Sequence, residues 1–177
     1  SLHWRENFDL SGFNIMSMGI WYEAIMRWVG EATRVIAVGK TFVKMRKDDN
    51  GIMRSVRVPE HVGIIADMAC GAQAHYQISS VTGLSGGAEA FLYGNQGTLH
   101  FSDGKLYGGT QSDSELSEID IPEEEKGAWR VEEEFINAIR GKEIITHTTF
   151  EDGVKYMEFT EAVTRSSQSG EKIYLPL

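Results

Sequence analysis

The residues best suited to carry chemistry lie close together in the stretch from 14 to 30. Glu23 is a candidate general base, because partial burial raises the pKa of a carboxyl group toward neutrality. Tyr22 beside it is a second candidate for proton transfer, and Trp21 and Tyr22 offer aromatic surface to a bound substrate. A packing or solvent-facing role in a helix is the alternative for each residue, and the residue types leave both interpretations open.

Three further residues are candidates for contacting a substrate. His75 stands in a segment of alternating polar and apolar residues, and Trp129 and Arg130 come together at the start of a helical pattern. A guanidinium group can hold a hydroxyl or a carboxylate through charge-assisted hydrogen bonds. The five histidines show no H-x-x-x-H spacing and the chain has one cysteine, so we expect no metal site.

Three helices are predicted around these candidates. The first follows Ser17 as N-cap and ends at Gly30, and the other two cover about 129–140 and 149–167. Helical spacing predicts the apolar face of the first helix as Trp21, Ala24, Ile25 and Trp28. The same spacing predicts the packing face of the second helix as Val131, Phe135 and Ile139.

The middle of the chain predicts a series of hairpins. Segments rich in β-branched residues alternate with turn signals such as Asn50-Gly51. Hairpins in the middle and helices at both ends predict an α+β fold, with a large, mostly antiparallel (mixed) β-sheet and helices on one face. In the strand expected at 72–83, the other face carries Gln73, His75, Gln77, Ser79 and Val81. That open face is the expected surface for a homo-oligomer.

The composition excludes some classes of partner. The chain has 177 residues, a formal net charge of −9 at pH 7 and a pI of about 5.0. Nucleic acid would require a basic surface, so we expect no nucleic-acid partner. No apolar run approaches the ~20 residues of a membrane helix, so we expect no membrane partner. The single cysteine, Cys70, fits a reducing compartment, and we expect a cytoplasmic protein.

Four segments resemble, in the same order, the glucose–fructose oxidoreductase/inositol dehydrogenase (Gfo/Idh/MocA) family. They are S-M-G-I-W at 17–21, G-N-Q-G-T-L at 94–99, F-I-N-A-I-R-G at 135–141, and the closing helix and strand at 153–177. The first is similar to the family's Asp-x-Gly-x-His segment and keeps its glycine. Ser17 and Trp21 stand where the family has the aspartate and the histidine.

The resemblance implies that residues 1–177 form a single substrate-binding and oligomerisation domain with the glyceraldehyde-3-phosphate-dehydrogenase-like fold of the family's C-terminal domain. Family enzymes move a hydride between a nicotinamide and a sugar, polyol or related small carbonyl compound. NAD or NADP is therefore the expected cofactor of the full-length protein. The sequence lacks a G-x-G-x-x-G fingerprint and the family's Glu-Lys-Pro motif. This chain alone is therefore expected to bind no cofactor, to be inactive, and to need a Rossmann domain as its partner.

The replaced aspartate and histidine bear on the mechanism. Neither Ser17 nor Trp21 can be the base, and the adjacent Glu23 and Tyr22 are the candidates in this chain to substitute for it. The same replacements support an alternative function, a non-catalytic binding or scaffold module that has lost the redox chemistry.

Overall fold

The computed structural model describes residues 1–146 and 148–177. Its α-helices are α1 (Phe8–Ser11), α2 (Met18–Val29), α3 (Val131–Ile139) and α4 (Phe150–Ser169). Its strands are β1 (Ala32–Lys40), β2 (Met45–Lys47), β3 (Met53–Ser55), β4 (His61–Met68), β5 (Gln73–Ser79), β6 (Glu89–Tyr93), β7 (Gly97–Ser102), β8 (Lys105–Thr110), β9 (Ser117–Ile119) and β10 (Ile173–Tyr174).

The α+β class predicted from the sequence is confirmed. Every strand pairing among the described residues is antiparallel. The strands are divided, however, into a main sheet of order β10-β1-β4-β5, a second sheet of order β6-β7-β8-β9, and the β2-β3 hairpin. The one large sheet that we expected is interrupted because the irregular, glycine-rich segment 80–88 separates β5 from β6.

The core lies between the main sheet and the helices α2 and α4. Phe159 of α4 is fully buried, and its ring stacks on that of Tyr22 at a centroid distance of 3.7 Å. Tyr76 of β5 meets the same Phe159 ring edge-on, with the centroids 5.7 Å apart. These three rings join the sheet to both helices, which fixes the position of α2 over the sheet.

Helix α4 begins where the sequence predicted and ends two residues later than predicted, at Ser169. The Thr149 hydroxyl accepts from the Asp152 N–H at 3.2 Å, and the Asp152 carboxylate accepts from the Thr149 N–H at 3.0 Å. This capping box satisfies two amide groups of the first turn. Gly170 ends the helix in the left-handed conformation, with φ of 76°.

The open face of the main sheet lies opposite α2 and α4. Along β5, Gln73, His75 and Gln77 are exposed, whereas Ala74, Tyr76 and Ile78 pack against the core. This alternation is the one predicted from the sequence. The open face also exposes apolar side chains of the neighbouring strands, namely Ile36, Val38 and Ile65.

Two helices, α2 and α3, bury different residues from those predicted. The buried residues of α2 are Met18, Tyr22 and Met26, whereas Trp28 is exposed. A helix with apolar residues on both sides can bury either side, and here the flexible methionines and the Tyr22 ring are the ones that pack in the core. In α3 the expected packing residues Val131, Phe135 and Ile139 are all exposed, and Glu134 is buried instead.

A buried carboxylate holds the β2-β3 hairpin against the main sheet. Glu60 is completely buried, and its carboxylate accepts from the Val43 N–H at 2.7 Å, from the Phe42 N–H at 2.9 Å, and from Arg46. Burial by itself raises the pKa of Glu60, but the three donors outweigh it, so the pKa lies below its ordinary value. Glu60 therefore stabilises the fold in its charged form.

Candidate functional site

A cleft of about 310 Å³ lies between α2 and the start of α3. This volume is at the lower end of the ~300–1,000 Å³ typical of small-molecule sites. Its lining residues are Ile20, Glu23, Ala24, Arg27, Ala128, Trp129, Arg130, Val131, Glu134 and Thr148. The structure thus brings together three of the predicted site residues, Glu23, Trp129 and Arg130, although more than 100 residues of chain separate the first from the other two.

Glu23 belongs to a closed ring of three polar side chains. Its Oε1 accepts from Arg27 Nη2 at 2.6 Å and from the Thr148 hydroxyl at 2.6 Å. The Thr148 hydroxyl oxygen in turn accepts from Arg27 Nη2 at 2.8 Å. The Glu23 side chain is only 18% exposed and that of Arg27 is 37% exposed. Because each member has two partners in the ring, the carboxylate is held in one orientation toward the cleft.

Thr148 reaches the ring from an unusual backbone conformation. Its φ is 55°, in the left-handed region that β-branched residues seldom adopt. Such a conformation costs on the order of 1–3 kcal/mol and persists where surrounding contacts enforce it. Here the capping box of α4 follows directly, and the ring with Glu23 and Arg27 fixes the side chain.

Arg130 forms the second charged group of the cleft. Its Nε donates to Glu133 at 3.0 Å, its Nη2 to Glu143 at 3.3 Å, and its Nη1 lies 3.9 Å from the buried Glu134. The Arg130 guanidinium lowers the pKa of Glu133, and the Glu133 and Glu143 carboxylates raise the pKa of Arg130. Arg130 is therefore a permanent cation whose charge is already matched by its neighbours.

Trp129 provides the aromatic surface at the cleft. Its side chain is 80% exposed, and its indole Nε1 donates to Glu132 at 2.8 Å. With its polar nitrogen occupied, the ring presents an apolar face. Ile20, Ala24 and Val131 add apolar surface to the same cleft.

Tyr22 is adjacent to Glu23 in sequence but points into the core. It is 2% exposed, and its hydroxyl accepts from the Ala32 N–H at 2.9 Å. Burial raises the pKa of Tyr22 above its ordinary value. The placement gives the ring a packing role and the hydroxyl a backbone partner, so we do not retain Tyr22 as a catalytic or substrate-contacting residue.

The other predicted site residues lie away from the cleft. Trp21 is half-buried on α2 and is turned about 100° from Ile20 by the helical repeat, so it does not line the cleft. His75 lies on the open sheet face, where its Nε2 is 3.1 Å from Oε1 of Gln73. The Ser17 side chain makes no capping hydrogen bond to α2. His147 lies outside the described residues.

Two members of the ring were missed by sequence reasoning. Arg27 follows Glu23 by four residues, a helical ion-pair spacing that could have identified it. Thr148 is 125 residues from Glu23, and no local signal connects the two.

A second cavity, of about 300 Å³, lies at one end of the second sheet. Three of its ten lining residues are glycines, and Asp113, one of its two acidic residues, accepts from the Thr110 N–H and hydroxyl, each at 2.7 Å. These bonds form a turn, so we assign no chemistry there. Across residues 1–146 and 148–177, no helix is long and apolar enough to cross a membrane, and no cluster of three or more His, Cys, Asp or Glu could hold a metal ion.

Solved structures with the same fold include dehydrogenases and an NAD binding oxidoreductase. A levoglucosan dehydrogenase in complex with NADH and levoglucosan matches with a TM-score of 0.82 and 18% identity, covering 99% of this chain and 54% of that chain. An NAD binding oxidoreductase from Klebsiella pneumoniae matches with a TM-score of 0.80 and 16% identity, covering 99% and 54%. The WlbA dehydrogenase from Bordetella pertussis, in complex with NADH and UDP-GlcNAcA, matches with a TM-score of 0.65 and 18% identity, covering 91% and 45%.

These matches show the fold of the chain. The chain has the fold of the C-terminal domain of Gfo/Idh/MocA oxidoreductases, as the resemblance in its sequence implied. It spans about half the length of the solved chains that it matches. No protein-family model and no curated protein matched the sequence.

Proposed function

We propose that this chain is the substrate-binding and oligomerisation domain of a cytoplasmic NAD(P)-dependent oxidoreductase that acts on a sugar, polyol or related small carbonyl compound. A Rossmann domain outside residues 1–177 would hold the nicotinamide, which exchanges the hydride with the substrate. The observation that carries the proposal is the cleft between α2 and α3, where Glu23, Trp129 and Arg130 come together in an oxidoreductase fold.

The cleft offers the groups that this reaction requires from the substrate side. Oxidation of a hydroxyl compound by hydride transfer releases the hydroxyl proton, which a base within hydrogen-bond reach must accept. Glu23 Oε1 accepts hydrogen bonds from Arg27 and Thr148, and Oε2 can accept one from a ligand hydroxyl. Trp129 and the apolar wall can pack against the C–H face of a polyol or sugar ring.

The open sheet face is the proposed surface for assembly. Ile36, Val38 and Ile65 are exposed there among the uncharged polar residues of β5. The centre of this face lacks the long charged side chains that a solvated sheet face resistant to association normally carries. The Arg34–Asp67 ion pair and Lys40 lie toward the ends of the strands. A two-fold pairing of this face would cover the apolar centre of the sheet.

The test of the function is a substrate and cofactor screen on the full-length protein. We expect reduction of NAD or NADP, seen as nicotinamide absorbance, with at least one sugar or polyol. Binding of such compounds without any nicotinamide reduction would favour the alternative of a binding or scaffold module. The absence of both binding and turnover would overturn the assignment of the cleft.

A further inference from the structure

The cleft matches each of its positive charges with a negative one. Of the described side chains that line it, Arg27 and Arg130 are cations, and Glu23 and Glu134 are anions. Arg27 is bonded to Glu23, and Arg130 is bonded to Glu133 and Glu143 just outside the cleft. An anionic ligand would therefore have to displace an internal carboxylate or face the surplus of negative charge around Arg130.

We propose that the ring of Glu23, Arg27 and Thr148 is a charge filter that selects uncharged polyhydroxylated substrates and rejects sugar acids and phosphates. This inference rests on the proposed function and names the substrate class of the same cleft. The fold alone does not determine the charge of the ligand. Among the matched structures, one contains the neutral levoglucosan and another the anionic UDP-GlcNAcA.

The ring also explains how a neutral ligand would be held. Both ring bonds of Arg27 use Nη2, so Nε and Nη1 remain as donors. Both ring bonds of Glu23 use Oε1, so Oε2 remains as an acceptor. A fixed acceptor beside fixed donors complements two neighbouring hydroxyl groups, each of which can donate and accept. A carboxylate has no proton to donate to Oε2 and would be repelled by it.

Glu23 is the residue on which the filter depends. Glu23→Gln keeps the size of the side chain and removes its charge, which leaves Arg27 as an unmatched cation at the cleft. Such a cation binds carboxylates through charge-assisted bonds. The variant should therefore gain affinity for a sugar acid while losing affinity for the neutral sugar.

The test is a pair of NMR titrations of the full-length protein with glucose and with glucuronate, which differ at one carbon by an alcohol or a carboxylate. The amide shifts of residues 20–27 and 129–131 report binding at the cleft. The matched control is Glu161→Gln on α4, where Glu161 accepts from Arg165 at 2.8 Å in an i,i+4 pair outside the cleft. The control should behave like the wild type with both sugars.

We expect the wild type to bind glucose at the cleft. Its affinity for glucuronate should be lower by a factor of about ten or more. Glu23→Gln should reverse this order. A wild type that prefers glucuronate, or a Glu23→Gln variant with unchanged preference, would overturn the charge filter and leave the proposed function standing. If neither sugar shifts the cleft amides in the wild type, both the filter and the assignment of the cleft as a substrate site fall.

Discussion

Replacing Tyr22 by phenylalanine separates a structural role of this residue from a chemical one. The substitution removes only the hydroxyl, which accepts from the Ala32 N–H at 2.9 Å, and keeps the ring stacked on Phe159. Ala32 is 5% exposed, so its N–H would lose its partner in a place that water does not easily reach. A buried amide left without an acceptor costs roughly 1–3 kcal/mol. We therefore expect the free energy of unfolding to fall by about that amount.

Urea denaturation followed by tryptophan fluorescence measures this loss. With a denaturant slope of roughly 2 kcal/mol per molar urea, the transition midpoint should move down by about 0.5–1.5 M. Tyr22→Ala should cost more, about 3–5 kcal/mol, because it also removes the buried ring. Tyr93→Phe is the matched control, since Tyr93 is 77% exposed and should change stability by no more than about 0.5 kcal/mol.

The comparison of the two phenylalanine variants decides the role of Tyr22. If Tyr22→Phe is as stable as Tyr93→Phe, the hydroxyl is not needed as a backbone acceptor. The reasoning that removes Tyr22 from the substrate site would then be refuted.

The remaining predictions concern the fold, the cofactor and the assembly. The lowered pKa of Glu60 means that its stabilisation is fully present above its unfolded pKa, about 4.3, and is lost as the pH falls through the lower folded pKa. In urea denaturation, the free energy of unfolding of Glu60→Gln should therefore fall less steeply at acid pH than that of the wild type. An equally steep fall would contradict the stabilising role of the charged Glu60. Ser166 Oγ accepts from the Ala37 N–H at 2.9 Å, so Ser166→Ala should cost roughly 1–3 kcal/mol in the same assay. This chain alone should show no micromolar binding of NAD or NADP by calorimetry, because it lacks the glycine fingerprint. In sedimentation velocity at tens of micromolar the chain should self-associate and Val38→Lys should be monomeric, whereas a monomeric wild type would refute the interface.

Local signals predicted most of the fold. The helix predicted from about residue 149 and the alternation along β5 both depend on residues close in sequence, and both are present in the structure. The choice of buried face on α2 could not be predicted in the same way. Its two sides are similarly apolar, and only the shape of the Phe159 and sheet surface decides that Tyr22 turns inward.

The candidate site was predictable only in part. Glu23, Trp129 and Arg130 were identified by residue type, and the structure brings them to one cleft. Thr148 was not identifiable, because its contact with Glu23 depends on the path of the chain between α3 and α4. His75 was assigned to a cleft by residue type alone, whereas the alternation of β5 already placed it on the opposite face.

The central claim, that Glu23 accepts the substrate proton at the cleft, is tested most directly by the steady-state kinetics of Glu23→Gln in the full-length protein. We predict that kcat falls by roughly 10²–10⁴, with an unfolding midpoint close to that of the wild type. An unchanged kcat/KM in a folded Glu23→Gln variant would contradict the account and move the proton transfer to a group outside this chain.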